Sequence, residues 1–317
     1  MKKVMITGAT GAIGMALVEN LLDNNIKVTV VCHKESKRRS QLAKLPELDI
    51  VDCDLNELHT VANERTHDYD VFYHFAWDGT FGNMRNNVEG QIQNIQYTID
   101  AVELAHSLGC RRFIGAGSQA EYGRVDGVLT PSTPAFPENG YGMAKLCAGQ
   151  MSRLRCEQLG MEHIWTRILS VYGPYDGEKT MVMSLITQML NHQRPKCTPG
   201  EQIWDYTYSR DVAKAFYLLG ERGISGKTYC IGNGVGKPLR DYILQMRDLI
   251  DSDLEIGFGD IPYQNMQVMH LVADISELNS DTGYYPETSF EKGIQETIEW
   301  VKGEAQYEKN KHFDSLL

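Results

Sequence analysis

Short apolar runs alternate with longer amphipathic stretches through the first half of the chain. Residues 4–6, 28–31, 48–51, 71–74, 112–115 and 164–168 are apolar segments of strand length, the pattern of strands covered on both faces. Helical spacing fills several of the intervals, as in residues 12–22. This order predicts a parallel sheet doubly wound with helices, an α/β fold. After Gly173-Pro174 the rhythm changes. Residues 180–191 and 239–249 read as helices, with short strands near 203–208 and 228–231. We therefore expect one main unit over residues 1–173. Residues 174–317 should form mainly a smaller lobe, with segments near 204–231 and 271–300 returning to the main unit or its edge. Residues after Gly303 read as a polar tail that frays by default.

The first strand empties into Thr7-Gly8-Ala9-Thr10-Gly11-Ala12-Ile13-Gly14. In a strand-turn-helix context Gly8 permits a tight turn and Gly11 a close backbone approach to a pyrophosphate. Gly14 lets helix and strand pack closely, with the helix N-terminus facing the anion. Taken alone, such a run is also compatible with a ligand-free glycine turn. Further along, Tyr141 and Lys145 stand four residues apart, which on a helix puts phenol and ammonium on one face. A neighbouring cation lowers a phenol from its reference value of about 10 toward neutrality, as a general acid/base at a carbinol or ketone requires. Ser118 is placed to hydrogen-bond the same oxygen. Alone, Lys145 would be an ordinary helix-surface lysine and Ser118 an ordinary strand-end serine; their joint occurrence gives them weight.

These residues resemble the extended short-chain dehydrogenases/reductases, in the branch of sugar-nucleotide epimerases, dehydratases and 4-ketoreductases, over nearly the whole chain. Asp54-Leu55 resembles the pair that meets the adenine, and His74-Phe75-Ala76 the fourth-strand end where backbone passes the cofactor. Asn87-Val88-Glu89-Gly90 resembles the start of the next long helix. Phe113-Ile114-Gly115-Ala116-Gly117-Ser118 runs into Glu121-Tyr122-Gly123, with Ser118 four residues before Tyr122, the family's position for its catalytic hydroxyl. Arg167-Ile168-Leu169-Ser170-Val171-Tyr172-Gly173-Pro174, Asp205-Tyr206-Thr207-Tyr208, Arg210-Asp211-Val212-Ala213, Asp274-Ile275-Ser276, Gly283-Tyr284-Tyr285-Pro286 and residues 293–300 are similar to later signatures. The resemblance implies a Rossmann-type sheet with a C-terminal substrate lobe, and catalysis by Ser118, Tyr141 and Lys145. It also implies cofactor contacts from residues 7, 8, 10 to 14, His33, Lys34, Arg38, Asp54, Leu55, Phe75, Ala76, Tyr141 and Lys145.

Which nicotinamide dinucleotide is used turns on the second strand, which ends Val30-Val31-Cys32-His33-Lys34. NAD-preferring relatives usually carry an acid near Cys32 or His33 for the ribose hydroxyls. Here it is replaced by a downstream cluster, Lys34, Lys37, Arg38 and Arg39. That favours NADP(H), with NAD(H) still possible; the bland alternative is a solvated basic loop. Dehydratases of the branch carry Asp-Glu just after the catalytic hydroxyl residue, whereas this chain has Gln119-Ala120. Neither does acid/base work. The expected activity is thus NADPH-dependent reduction of a nucleotide-diphosphate 4-keto-6-deoxy sugar, with Tyr141 as proton donor. An NAD-dependent 4-epimerase is the alternative, followed by reduction of a non-nucleotide ketone and by a non-catalytic cofactor-binding role. Candidate substrate contacts are Trp77, Gln119, Glu121, Trp204, which stands where relatives have Arg, and Arg210. Lys196 joins Arg210 as a candidate for the diphosphate, and Asn233 as a loop cap.

Composition sets limits. With 317 residues and net charge -11, the chain can bury a full core and repels nucleic acid and anionic membrane, so an anionic sugar-nucleotide must meet local donors. Seven cysteines form no CxxC pair; they read as reduced, buried thiols without a zinc site. No apolar run approaches a membrane span of roughly 18 residues, and the chain enters a strand at Val4 without an export segment, so a cytoplasmic protein is expected. By resemblance the helix of Tyr141 and the helix before it, here about residues 83–107, should pair with their copies in a homodimer. Ile92, Ile95, Ile99, Val102 and Leu104 offer apolar faces, although the same stripe also suits packing on the sheet.

Overall fold

The computed structural model describes residues 1–36 and 38–314. In chain order, β1 (Lys3–Thr7), α1 (Ala12–Asp23), β2 (Lys27–Cys32), α2 (Arg39–Leu42), β3 (Asp49–Asp52) and β4 (Val71–His74) lead to α3 (Val88–Ser107). Then follow β5 (Arg112–Ser118), α4 (Gly140–Gln158), β6 (Glu162–Ile168), β7 (Ser170–Tyr172), α5 (Met181–Leu190), β8 (Lys196–Cys197), β9 (Ile203–Trp204), β10 (Tyr206–Tyr208) and α6 (Ser209–Arg222). The chain closes with β11 (Thr228–Ile231), β12 (Lys237–Pro238), α7 (Leu239–Ile250), β13 (Gly257–Phe258), β14 (His270–Leu271), α8 (Ser276–Thr282) and α9 (Phe290–Asp314).

Seven strands form one sheet in the order β11-β6-β5-β4-β1-β2-β3, and every pairing is parallel. This is the doubly wound Rossmann-type sheet expected from the alternating pattern. The period of two divides its two cores. Val4, Ile6, Val28, Val30, Val71 and Tyr73 face α1 and α6, while Met5, Val31, Phe72 and Phe113 face α3. Each fully buried aliphatic side chain contributes about 1.5–3 kcal/mol relative to exposure.

Thr228–Ile231 is the edge strand of the main sheet, paired with β6. Two boundaries differ from expectation. The long helix begins at Val88 instead of residue 83, because the Asn87 side chain accepts from the Gly90 amide at 3.0 Å and caps it. A 3-10 turn over Gly82–Asn86 precedes it. The backbone expected to fray after Gly303 continues as helix to Asp314. The smaller lobe packs α5, α7 and α9 around Val182, Ile186, Met189, Ile243, Met246 and Ile294.

Two imidazoles lie inside the main unit. His74 Nδ1 meets Thr7 Oγ1 at 2.8 Å, and His163 Nε2 meets Ser152 Oγ at 2.9 Å. Burial pushes both well below the ordinary histidine range, to about 3. In the unfolded chain they protonate near pH 6.5, so between there and pH 3 the unfolded state binds more protons and stability falls as pH falls. Urea midpoints should therefore drop from pH 7 to pH 4. A His74→Gln, His163→Asn double variant should show a shallower drop, each histidine accounting for up to about 1.4 kcal/mol per pH unit.

Candidate active site

A cleft of about 620 Å³ opens at the carboxyl ends of β1, β2 and β4, lined among others by Gly8, Thr10, His33, Asp54, Phe75 and Ala76. Leu55 and Trp77 also border it. Gly8 has φ +76, and a Cβ there would stand 2.5 Å from the Ala76 amide nitrogen. A Cβ on Gly14 would stand 2.5 Å from the Gly8 carbonyl oxygen, whereas around Gly11 nothing lies within 4 Å. The turn is thus closed on the protein side and open on the cleft side. The α1 N-cap, Gly11, brings no side-chain hydrogen bond, so the first amides of Ala12 and Ile13 remain available to an anion. This cradle fits a dinucleotide pyrophosphate. Thr7 is the exception among the turn residues, since its buried hydroxyl is engaged by His74.

The basic cluster after β2 is organised differently from the expectation of a 2′-phosphate site. Arg38 Nη1 donates to the Thr10 carbonyl at 3.3 Å and to the Tyr175 carbonyl, and Nη2 donates to the Asp176 carbonyl at 3.1 Å. Lys34 pairs with Glu57 at 2.6 Å and Arg39 with Asp52 at 2.7 Å. His33 lies 3.5 Å from the Asp54 carboxylate. Lys37, the fourth base, lies outside the described residues. Sequence displays the charges of this loop but not the carboxylates and carbonyls that face them.

Ser118 ends β5, while Tyr141 and Lys145 occupy the first turns of α4, whose start is capped by the Asn139 side chain accepting from Gly142 at 2.9 Å. The structure brings the three together. The Ser118 hydroxyl faces the Tyr141 phenol and acts to lower its pKa, while accepting from the Ala120 amide at 3.2 Å. Lys145 Nζ donates to the Ala116 carbonyl at 2.6 Å and sits 3.7 Å from the centre of the Trp77 ring. Burial pulls Lys145 down to about 7, against an upward pull from Glu121. Tyr141 is not lowered toward neutrality as expected: burial raises the phenol, opposed by Ser118 and by Arg85. Lys145 Nζ is 5.9 Å from the Tyr141 ring centre and Arg85 Cζ 4.4 Å.

Glu121 is not a sugar contact. Its carboxylate is fully buried and accepts from the Ser118 amide at 2.8 Å, Trp165 Nε1 at 3.0 Å and Arg167 Nε at 2.8 Å. Its Ser118 contact forms half of a capping box over the 3-10 turn Gln119–Glu121, turning the side chain inward. Gln119 stays half-buried beside Ser118.

Arg210 is likewise displaced from its expected role. It pairs with Glu296 at 2.9 Å and borders a small hollow behind α1 with Glu19, Tyr175 and Trp300, away from the cleft. Trp77 directs its Nε1 to Gln91 Oε1 at 2.9 Å and presents its ring to Lys145, making it a wall of the cofactor cleft. In the smaller lobe a second cleft of about 770 Å³ is lined by Lys179, Arg194, Lys196, Trp204, Tyr206 and Gln267, among others. Trp204 reaches it with its indole nitrogen tied to Ser170 Oγ at 2.7 Å. The Asn233 amide donates to Asp205 at 2.7 Å, alongside the amides of Gly234 and Ala273, so the carboxylate does the tying. Sequence reasoning missed Arg85, Gln91 and Asn94. The one available signal was a pair of amides three residues apart on an otherwise buried helix face. Among the described residues no cluster of three or more His, Cys, Asp or Glu is placed for a metal ion, and no helix is long and apolar enough to cross a membrane.

A parallel sheet with a glycine cradle at its switch point and a Ser-Tyr-Lys set beside it defines a nicotinamide-dependent enzyme of the extended short-chain dehydrogenase/reductase type. The model of the NAD dependent epimerase/dehydratase family matches residues 4–232, and the chain belongs to that family. It is 26% identical to a protein of Methanocaldococcus jannaschii provisionally described as a UDP-glucose 4-epimerase, across 94% of this chain and 98% of that one. It is 25% identical to the dTDP-glucose 4,6-dehydratase of Neisseria meningitidis serogroup B, across 95% of this chain and 93% of that enzyme. The structure of UDP-N-acetylglucosamine 4-epimerase from Methanobrevibacter ruminantium M1, in complex with UDP-N-acetylmuramic acid, superposes with a TM-score of 0.86 at 24% identity, covering 96% and 99% of the two chains. At that identity the likeness concerns the fold.

Replacing Glu121 by Gln should leave the buried Arg167 charge without its counter-ion. A loss of about 3–5 kcal/mol in urea unfolding is expected; a change under about 1 kcal/mol would show that the carboxylate does not hold this site together.

Proposed function

We propose that the protein is an NAD-dependent 4-epimerase of a nucleotide-diphosphate sugar, using Ser118, Tyr141 and Lys145. The observation that carries this reading is the locked state of Glu121, the carboxylate nearest Ser118. With Gln119 and Ala120 in the neighbouring positions, no acid/base pair stands ready to remove the C6 hydroxyl and the C5 proton, which leaves chemistry at C4. Bound nicotinamide supplies the reversible acceptance of hydride from that carbon. The protein's part is to move the proton of the C4 hydroxyl: Tyr141 accepts it, Ser118 hydrogen-bonds the oxygen as charge develops, and Lys145 holds the ribose beside Trp77. Return of the proton from Tyr141 to the opposite configuration completes a redox-neutral cycle.

Selection of NAD is supported by the pairing of Lys34, Arg38 and Arg39 and by the Asp54 carboxylate on the cleft wall, which would repel a 2′-phosphate. The family's own description and the epimerases among its similar members point the same way. Lys179 and Lys196 offer charge to a diphosphate, and Trp204 and Tyr206 offer rings to a base. A 4-ketoreductase using NADPH retains one specific observation in its favour, Cys32 at the end of β2 where a ribose-binding carboxylate usually stands.

Incubation of the NAD-loaded protein with UDP- and dTDP-hexoses deuterated at C4 separates the two. Epimers that keep the deuterium, with no net change in reduced nicotinamide, are expected. Stoichiometric oxidation of NADPH by a 4-keto-6-deoxy sugar-nucleotide, without epimerisation, would replace the proposal with the reductase. Tyr141→Phe should lower turnover by about 100-fold or more while leaving NAD affinity nearly unchanged; normal turnover would remove Tyr141 from the mechanism.

The same reading includes a homodimer through α3 and α4. Val102 and Leu104 face the core, whereas Val88, Ile92, Met143, Met151 and Leu154 are exposed on these two packed helices. Sedimentation should give a dimer, and Ile92→Asp with Leu154→Asp should give a folded monomer. A wild-type monomer at micromolar concentration would overturn the assignment.

A further inference from the structure

The acid/base tyrosine carries a cation over its ring that no sequence motif announces. Residues 77–87 leave β4, make the 3-10 turn at Gly82–Asn86, and return to α3. Two buried amides fasten this segment. Gln91 accepts from Trp77 Nε1 at 2.9 Å and donates Nε2 to the carbonyls of Gly79 at 3.1 Å and Met84 at 3.0 Å. Asn94 accepts from the Asp78 amide and donates to the Asp78 carbonyl, both at 2.9 Å. At the far end, Asn86 Oδ1 accepts from the Gly140 amide at 2.9 Å, one residue before Tyr141. The segment is thereby tied both to α3 and to the start of α4.

Within this frame Arg85 donates Nη1 to the Thr80 carbonyl at 3.1 Å, and its Cζ lies 4.4 Å from the Tyr141 ring centre. Trp77 meets the same ring edge-on at 6.0 Å. We propose that Arg85 is a positioning residue for the acid/base step, fixing the Tyr141 ring against Trp77 and stabilising the phenolate form of Tyr141. This rests on Tyr141 being the acid/base of the proposed reaction, but not on which sugar is used or on the direction of hydride transfer. The other groups facing Tyr141 supply less or different charge. Ser118 is a neutral hydroxyl on the strand side, and Glu121 is an anion locked to Arg167. Lys145, on the tyrosine's own helix, also brings its ammonium to 5.9 Å from the ring centre, while directing it to Ala116 and Trp77. Arg85 is the nearest cation to the ring, and a cation over an aromatic face both orients it and favours its ionised form.

The test follows the Tyr141 resonance in NAD-saturated protein labelled with 13C at the tyrosine ζ carbon, assigned by its loss in Tyr141→Phe. In Arg85→Met the ionisation midpoint should rise by about 1 to 3 pH units. At neutral pH kcat should fall about 10- to 1000-fold with KM little changed, since one pH unit of proton affinity corresponds to about tenfold in phenolate population. Arg85→Lys should recover part of both. If Arg85→Met does not fold, Arg85→Gln, which retains a donor for Thr80 without the charge, supplies the same comparison. An unchanged midpoint in a folded, uncharged variant would overturn the role of Arg85 even if turnover fell. Failure of wild-type protein to act on any nucleotide-sugar would instead strike the proposed function, leaving the resonance to decide the Arg85 question.

Discussion

The buried carboxylate of Glu121 is the constraint on which the site is built. A carboxylate sealed from water is costly unless its lone pairs and its charge are both answered. Here they are answered by three donors on two strands: the Ser118 amide from the end of β5, and Trp165 and Arg167 from β6. Arg167 in turn lies over the Tyr122 ring and donates to the Pro131 carbonyl at 3.3 Å. Ser118 is therefore attached to an ionic network that reaches into the segment leading toward α4, and its position does not depend on a ligand.

The same economy appears at the cofactor cleft. Gly8 and Gly14 remove side chains where strand, turn and helix meet, and the unoccupied surroundings of Gly11 face outward. Open backbone amides and a closed protein side together make one wall of a pyrophosphate site. Opposite, Lys145 lies over the Trp77 ring. The loop carrying Trp77 is held by the side-chain amides of Gln91 and Asn94, which answer backbone groups that its one 3-10 turn leaves free.

What the chain reveals before folding follows from which features are local. The glycine turn, the Ser-Tyr-Lys set and the alternating strands are legible because each rests on fixed spacing within a single element. Glu121 was misleading because its position two residues beyond Gln119 suggests a substrate contact, while a three-residue 3-10 turn swings it inward. Arg210 precedes Asp211 on α6 and points behind α1, a consequence of how two helices far apart in sequence pack. The bases after β2 showed charge but not partners, since Tyr175 and Asp176 arrive from 137 and 138 residues away. Arg85 sits in a polar, non-periodic stretch, where neither propensity nor pattern distinguishes a functional cation from a solvated one.

Trp165 fixes the gap between sheet and helix. A Cβ on Gly115, Gly117 or Gly149 would come within 2.2, 2.3 and 2.6 Å of its indole, so the ring fills the space that three absent side chains create between β5, β6 and α4. No part of that filling can change size without moving Tyr141 relative to Ser118. Room for shape change is thereby left to surfaces outside the wedge, the loop of residues 77–87 and the smaller lobe.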